Sequence, residues 1–547
     1  MKITQSPRFY FLLGFLAISG GAAGFSATTP PSGPWDGLYW PFWELWICLG
    51  MAVLSFVVAI MFSERRQVSI SALWVSLLAL CVALPTISWG VPYGIRDPWT
   101  HLYYIKATQF FGSNPYPMFH SLVMIASETI GVDTIDVLAR SQVIAPAIGA
   151  VWLVIVLRLL GNWKIWTLAL IMTFPAIYLW VISRPYSIAP LLIFLMWWGL
   201  ISQQNFKRRL ILLFAILVAS VFWHPMTSIA AGIIIAVWWA VKQAADMTHL
   251  NKKFKTQLMR VNTLHLGVFL LVLFIYHILV LSTVGRNVIA RFVLESEGAV
   301  RSGNTVSASI TKKFFEFIRR AIYLIGLGIV SLWGLTQGWV RERLSQPLVV
   351  ALASGAALAI LFVIIDLLSP IGFGARRANV LAPIILFPAA VIGLQRLPIP
   401  AGRVFVALVI LTAGITTVYS SPLIGGVEIS TTSSDIQAIN WMDDNRVEGP
   451  IVGSEFTYSV IIGQYGIERA ADWSNDRLWQ YQWGARQFES SWNAPRDLSR
   501  RYTAVSYPAR IKANRSQDQQ QRLSSFQSTG TRIYDNGNYW WYFHPEN

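Results

Sequence analysis

The chain has 547 residues, of which 54% are hydrophobic and 13% are charged, and its mean hydropathy is +0.50. An ordinary soluble domain carries about 25% charged residues, so this composition argues against a soluble enzyme and predicts an α-helical polytopic membrane protein. The net charge of +16 does not indicate a nucleic-acid partner, because much of it lies in loops that are predicted to face anionic lipid. Cys48 and Cys81 lie inside apolar stretches and indicate no metal site.

Apolar stretches recur along the chain at the length, about 20 residues, that crosses a hydrocarbon core. They predict about thirteen membrane helices, near residues 9–27, 41–62, 69–90, 137–159, 165–182, 186–203, 210–223, 226–241, 264–284, 319–339, 347–368, 378–394 and 404–423. Clusters of Lys and Arg fall in alternate loops, which the positive-inside rule assigns to the cytoplasm. The N-terminus is therefore predicted to lie inside, and the chain after residue 424 outside.

These features divide the chain into two predicted domains. Residues 1–424 form the transmembrane domain, with an interfacial loop at 91–136 and a flexible outward loop at 285–318. Residues 425–547 form a small extracytoplasmic α/β domain. In that domain, a capping box at 434–437 opens a helix that runs through Asn445. Residues 450–453 predict a strand, and Asn536-Gly537 predicts the turn of a hairpin between 531–534 and 539–543.

The most unusual segment is the polar stretch at 93–101, because ionisable groups at the edge of a bilayer need a function or a partner. Asp97 followed by Pro98 predicts the start of a helix over 98–111. Asp97, His101 and Tyr104 are spaced i, i+4, i+7 and therefore share one face of it. A second interfacial helix is predicted over 118–131 and carries His120. Asp97 has two interpretations from this pattern, a helix cap and a general base.

The same residue types suit sugar transfer from a lipid phosphate. A positioned carboxylate can accept the proton of an attacking hydroxyl. The leaving phosphate needs charge stabilisation, and arginine binds phosphate through a fork that is always charged. Arg376 and Arg377 lie at the outward end of a predicted helix, and Arg184 is a further candidate. Asp366, inside a predicted span, is an alternative partner for one of these arginines.

Together these features resemble the GT-C superfamily of polytopic membrane glycosyltransferases, especially the dolichyl- or polyprenyl-phosphate-sugar-dependent enzymes of archaea and bacteria. Asp97, His101 and the segment 116–120, Tyr-Pro-Met-Phe-His, carry the resemblance. Weaker matches are 183–186, His224-Pro225, 374–377 and 533–537. The resemblance implies catalytic roles for Asp97 and His101, an acceptor or sugar site, and a donor-phosphate site. The acceptor site would contain Tyr104, His120 and His224, and the phosphate site Arg184, Arg376 and Arg377.

The predicted function is therefore transfer of a sugar from a polyprenyl-phosphate carrier to a glycan, lipid or protein acceptor at the outer face of the cell membrane. The segment 93–101 holds a single acid and no Asp-x-Asp pair, so the sequence does not support a divalent metal, although it leaves one open. No metal site is assigned, and the lipid-linked sugar is the expected donor. A non-catalytic transporter or flippase of lipid-linked glycans is one alternative, and a structural membrane subunit is another.

Overall fold

A computed structural model describes the predicted interfacial loop at 97–106, 114 and 116–141. It describes the helical part of the chain at 185–201, 206–247, 263–281, 310–341, 346–368, 374–398, 400–402 and 404. In the tail it describes 433–445, 451–452, 460–461, 463–465, 502–506, 521, 524, 527–528, 530–536 and 539–543. The predicted spans at 9–27, 41–62, 69–90 and 165–182 lie outside these residues, as do most of 137–159 and 404–423. Arg184 also lies outside them.

The described part of the chain is mainly helical. Three helices come first: α1 (Asp97–Lys106), α2 (Pro117–Ile130) and α3 (Thr134–Arg140). Seven longer helices follow: α4 (Pro185–Ile201), α5 (Phe206–Trp223), α6 (Pro225–Met247), α7 (Thr263–Tyr276, continued by a π-helical turn at His277–Leu281), α8 (Ile310–Val340), α9 (Gln346–Leu368) and α10 (Gly374–Arg396).

The helices α4 to α10 coincide with seven of the predicted spans, although several are longer. Hydropathy detects only the apolar part of a helix, so charged turns at its ends are missed. The clearest case is α8, which begins at Ile310, inside the range 285–318 that was predicted to be a loop. Its first turns contain Lys312, Lys313 and Glu316, and this charge kept them out of the predicted span.

Within the described residues, one helical segment, Pro225–Ala244, is both long and apolar enough by length and composition to cross a membrane. Shorter apolar helical segments accompany it: Leu191–Ile201, His265–Leu279, Ile325–Val340, Gln346–Leu361 and Ile384–Arg396. The total of thirteen spans and the inside-to-outside orientation stay predictions.

Helices α8 and α10 pack closely at a pair of glycines. A Cβ atom added to Gly334 would lie 2.6 Å from the Cα of Gly393, and one added to Gly393 would collide with the backbone carbonyl of Val330. The Arg396 guanidinium donates a hydrogen bond to the Gly334 carbonyl at the same crossing. Small residues allow such close backbone approach between helices, so this crossing requires glycine at both positions.

The tail contains a helix, α11 (Ser433–Asp444), and four strands: β1 (Ile451–Val452), β2 (Tyr502–Ser506), β3 (Thr531–Asp535) and β4 (Tyr539–Phe543). The sheet order is β1-β2-β4-β3, with β1 parallel to β2 and the other pairs antiparallel. The buried indole of Trp541 donates to the carbonyl of Ala438 at 3.0 Å and so ties the sheet to α11. The predicted helix, first strand and hairpin are confirmed, whereas β2 was not predicted.

We expect Gly393→Ala to destabilise the helical part by about 1–3 kcal/mol, because overpacking a tight contact costs this much. Gly328→Ala is the matched control, since a Cβ atom added to Gly328 in α8 meets nothing within 4 Å. Thermal stability of the purified protein in detergent measures both changes. Equal melting temperatures for the two variants would contradict the close crossing.

Candidate functional site

Helix α1 is buried on more than one side. Trp99, Leu102 and Ile105 are almost fully buried in the apolar core, and His101 and Tyr104 are buried as well. Among the described side chains of α1, only Tyr103 is half-buried and only Lys106 is exposed. The aromatic side chains of α1 therefore serve as packing groups, and its polar side chains lie in a desolvated site.

Residues 114–120 form the turn that leads into α2 and present His120 to α1. The side chain of Asn114 is buried, and its Oδ1 accepts the backbone N–H of Tyr116 at 3.0 Å. Pro117 then begins the helix, where a missing N–H costs nothing. Phe119, His120 and Val123 face the core from α2. The turn and the helix start together fix the direction of His120.

Two histidines meet between α1 and α2. Nδ1 of His101 lies 2.9 Å from Nε2 of His120, and Nδ1 of His120 lies 2.7 Å from Oδ1 of Asn114. The ring of Tyr104 stacks on His120 with centroids 5.6 Å apart. The three side chains Asn114, His120 and His101 thus form one continuous hydrogen-bonded chain, with both ring nitrogens of His120 engaged.

Tyr116 and His224 complete this group. The ring of Tyr116 lies 5.2 Å from that of His101, and it stacks on His224 with centroids 5.4 Å apart and an interplanar angle of 4°. His224 lies between α5 and α6, in the step between the two helices. We call His101, Tyr104, Tyr116, His120 and His224 the histidine–tyrosine cluster.

Burial favours the uncharged forms of groups in this cluster. The pKa of His120 is well below its usual value, first because burial disfavours the imidazolium and second because of the neighbouring His101. Burial also raises the pKa of Tyr104, with smaller contributions from Tyr116 and Tyr103. At neutral pH, His120 is therefore an uncharged imidazole and Tyr104 a protonated phenol, groups that suit the hydroxyls of a sugar better than the charge of a phosphate.

A segment of the tail closes over α1. A Cβ atom added to Gly463 would lie 2.6 Å from Cε3 of Trp99 and 3.0 Å from its carbonyl oxygen. At the end of the helix, Lys106 donates from Nζ to the backbone carbonyl of Gln464 at 3.4 Å and to its Oε1 at 3.3 Å. The tail therefore contacts the helix that carries Asp97 and His101.

The structure brings together His101, Tyr104, His120 and His224, which the sequence analysis selected separately. The backbone of Asp97 is the first residue of α1, and those of Arg376 and Arg377 lie in the first turn of α10. The side chains of these three residues, and all of Arg184, lie outside the described part of the structure. Among the described residues, no group of three or more His, Cys, Asp or Glu comes together as a metal site.

Asn114 and Gly463 were not selected from the sequence. Asn114 precedes a proline, which is a turn signal, but its contact with His120 depends on how the turn folds. Gly463 carries no local signal that it faces Trp99. Asp133 caps α3, since its Oδ1 accepts the Ile135 N–H at 3.0 Å.

Comparison with known proteins assigns no role to these residues. No known protein-family model matches the chain, and no curated protein matches it. Among solved structures, the cryo-EM structure of the arabinofuranosyltransferase AftD from mycobacteria has 14% sequence identity and a TM-score of 0.38. The match covers 72% of this chain, which spans 29% of AftD. A likeness at this level decides nothing about activity, which has to be argued from the residues of this chain.

We expect Gly463→Ala to loosen α1, because the new methyl group would push against a buried Trp99 that has no free space around it. Amide hydrogen exchange in peptides that cover residues 97–106 should become faster in this variant. Gln464→Ala is the matched control, since it removes only exposed contacts to Lys106, which contribute little. If exchange in α1 is the same in both variants, the tail does not hold this helix.

Proposed function

We propose that this protein is an integral membrane glycosyltransferase that moves a hexose from a polyprenyl-phosphate carrier to a hydroxyl group of an outward-facing acceptor. The observation that carries the proposal is the histidine–tyrosine cluster. Its members come from α1, from the turn and first residues of α2, and from the step between α5 and α6. They meet in a buried, polar site on the helix that begins with Asp97.

Exposed apolar faces support a location in the membrane. On α7, the side chains of Val268, Leu271, Val272 and Ile275 are exposed at helical spacing. On α2, Met118, Leu122 and Ile125 form a shorter stripe on the side away from His120. Soluble proteins rarely expose continuous apolar surface of this kind. Lipid would cover both faces, and the stripe on α2 would hold the site at the surface of the membrane.

In the proposed reaction, Asp97 acts as the general base. The acceptor oxygen attacks C1 of the sugar, and the bond between C1 and the phosphate oxygen breaks with its electron pair leaving on the phosphate. The hydroxyl proton goes to the Asp97 carboxylate. Asp97 is the first residue of α1, so the acceptor hydroxyl would approach the start of this helix.

The donor phosphate is assigned to Arg376 and Arg377, with Arg184 as a further contact. Helix α10 begins at Gly374, so its first N–H groups and the two arginines lie within one turn of each other along the backbone. Helix N-termini attract anions, and arginine adds a full charge. This assignment leaves Tyr104 and His224 to contact the hydroxyls of the sugar or the acceptor.

We expect Asp97→Asn to abolish most transfer while the protein stays folded, because Asn keeps the ability to cap a helix but cannot accept a proton. A loss of about 100-fold or more is the size typical of a missing general base. Asp97→Ala should lose both the activity and some stability. The measurement is transfer of radiolabel from polyprenyl-phosphate hexoses in vesicles that contain the purified protein.

The same assay separates the alternatives. An Asp97→Asn protein that transfers sugar at the normal rate would rule out Asp97 as the base. Failure of the unmodified protein to transfer any hexose, combined with movement of the labelled lipid across the vesicle membrane, would favour the transporter or flippase. Absence of both sugar transfer and lipid movement would favour a structural subunit.

We expect replacement of both Arg376 and Arg377 by Gln to raise the donor concentration needed for half-maximal transfer by about 10-fold or more, because hydrogen bonds between charged groups contribute about 1.5–3 kcal/mol. Arg532→Gln is the matched control, since Arg532 is an exposed arginine of the tail that pairs with Asp535 at 3.0 Å. An unchanged dependence on donor concentration in the double variant would exclude the two arginines from phosphate binding.

A further inference from the structure

The protonation pattern of the cluster can be derived from a single backbone group. The N–H of Tyr116 can only donate a hydrogen bond, so the Asn114 atom that faces it at 3.0 Å must be the amide oxygen. The same Oδ1 lies 2.7 Å from Nδ1 of His120. Because an amide oxygen can only accept, Nδ1 of His120 must carry a hydrogen and donate it.

The other nitrogen of His120 is then determined as well. A neutral imidazole carries one hydrogen, so with Nδ1 protonated its Nε2 holds a lone pair. Complete burial favours this neutral form over the imidazolium. Nε2 of His120 is therefore an acceptor, and it lies 2.9 Å from Nδ1 of His101.

The hydrogen between the two histidines must accordingly lie on His101. With Nδ1 of His101 donating to His120, the lone pair of the neutral His101 ring is on Nε2. His101 lies one helical turn after Asp97 on the same face of α1. The chain Asn114, His120, His101 thus prepares Nε2 of His101 as a proton acceptor close to the start of the helix.

We propose that Asn114 and His120 are positioning residues, which hold His101 in its Nδ1–H tautomer so that Nε2 of His101 accepts the proton that Asp97 takes from the acceptor. This inference rests on the proposed function and extends it. The hydroxyl proton moves first to the Asp97 carboxylate and then to Nε2 of His101, which leaves Asp97 ionised. The His101 imidazolium keeps its hydrogen bond to His120 and passes the proton to water as the products leave.

The proposal gives His120 a different role from the sugar contact that its sequence motif implied. Its Nδ1 and Nε2 are both used within the protein, so it can act on a sugar only through His101 or through the face of its ring. We call Asn114, His120 and His101 the relay. Among the described side chains, the titratable groups around it are Tyr104 on α1, Tyr116 before α2 and His224 between α5 and α6.

The tautomers can be measured without any substrate. The full chain contains seven histidines, so ¹⁵N-histidine NMR of the protein in lipid nanodiscs can be assigned by single His→Gln variants. The relay predicts the Nδ1–H tautomer for both His101 and His120 at neutral pH. Free histidine in the same buffer serves as the solvent reference. An Nε2–H tautomer at His101, or a doubly protonated His120, would overturn the relay whether or not the protein transfers sugar.

Two substitutions at Asn114 test whether this residue affects the rate of sugar transfer, measured with a polyprenyl-phosphate hexose as the probe. Asn114→Leu removes the acceptor and should lower kcat by about 10- to 100-fold, as for residues that orient a functional histidine, with KM changed by less than about 2-fold. Asn114→Asp keeps an acceptor oxygen and should restore kcat near neutral pH. The added carboxylate would raise the pKa of His120, so the acidic limb of the pH–rate profile should move to higher pH.

A residue that only stabilised the turn would not produce this pattern. Equal kcat values for Asn114→Leu and the unmodified protein would overturn the relay, as would an Asn114→Asp profile with an unshifted acidic limb. If Asn114→Leu does not fold, the Asp variant and the tautomer measurement still decide. Absence of transfer by the unmodified protein would overturn the proposed function, and the tautomers at His101 and His120 would then be judged by NMR alone.

Discussion

The position of helix α1 is the constraint on which the site depends. Trp99 is fully buried and meets the backbone of Gly463, and on the next turn Leu102 is fully buried in the core. Because these side chains leave α1 little freedom to turn or slide, the direction of His101 is set by packing. A site built on a packed helix keeps the angles that proton transfer requires, whereas a free loop would have to recover them at each turnover.

Burial also explains how the chemistry divides between parts of the molecule. The cluster around His120 is desolvated, so charge is costly there and neutral rings are favoured. Such a site suits hydroxyl groups and the transfer of a proton. A lipid phosphate carries a full negative charge and needs cations, and we propose that Arg376 and Arg377 at the start of α10 bind it. In the proposed enzyme, the hydroxyl groups and the lipid phosphate therefore bind at different places.

Hydropathy and turn signals predicted much of the fold, because these signals are local. The length of the apolar stretches predicted α4 to α10. The turn signal Asn536-Gly537 predicted the hairpin of β3 and β4. The site residues on α1 followed from helical spacing. What could not be predicted depends on contacts between distant residues. Lys106 meets Gln464 across a separation of 358 residues, and Gly463 has no property in the sequence that distinguishes it from other glycines. Strand β2 was missed because it is short and pairs with strands far along the chain.

The contact between the tail and α1 changes how the two predicted domains should be understood. Trp541 of β4 donates to Ala438 on α11, and Tyr465 donates to Asn440 on the same helix at 2.8 Å. Gly463, two residues before Tyr465, then meets Trp99. A continuous path of packed groups thus runs from the sheet to the helix that carries His101. Since buried contacts are not continuously deformable, a displacement of the sheet would reach Trp99. The tail is in this sense part of the architecture of the site, because it packs against the helix that carries His101.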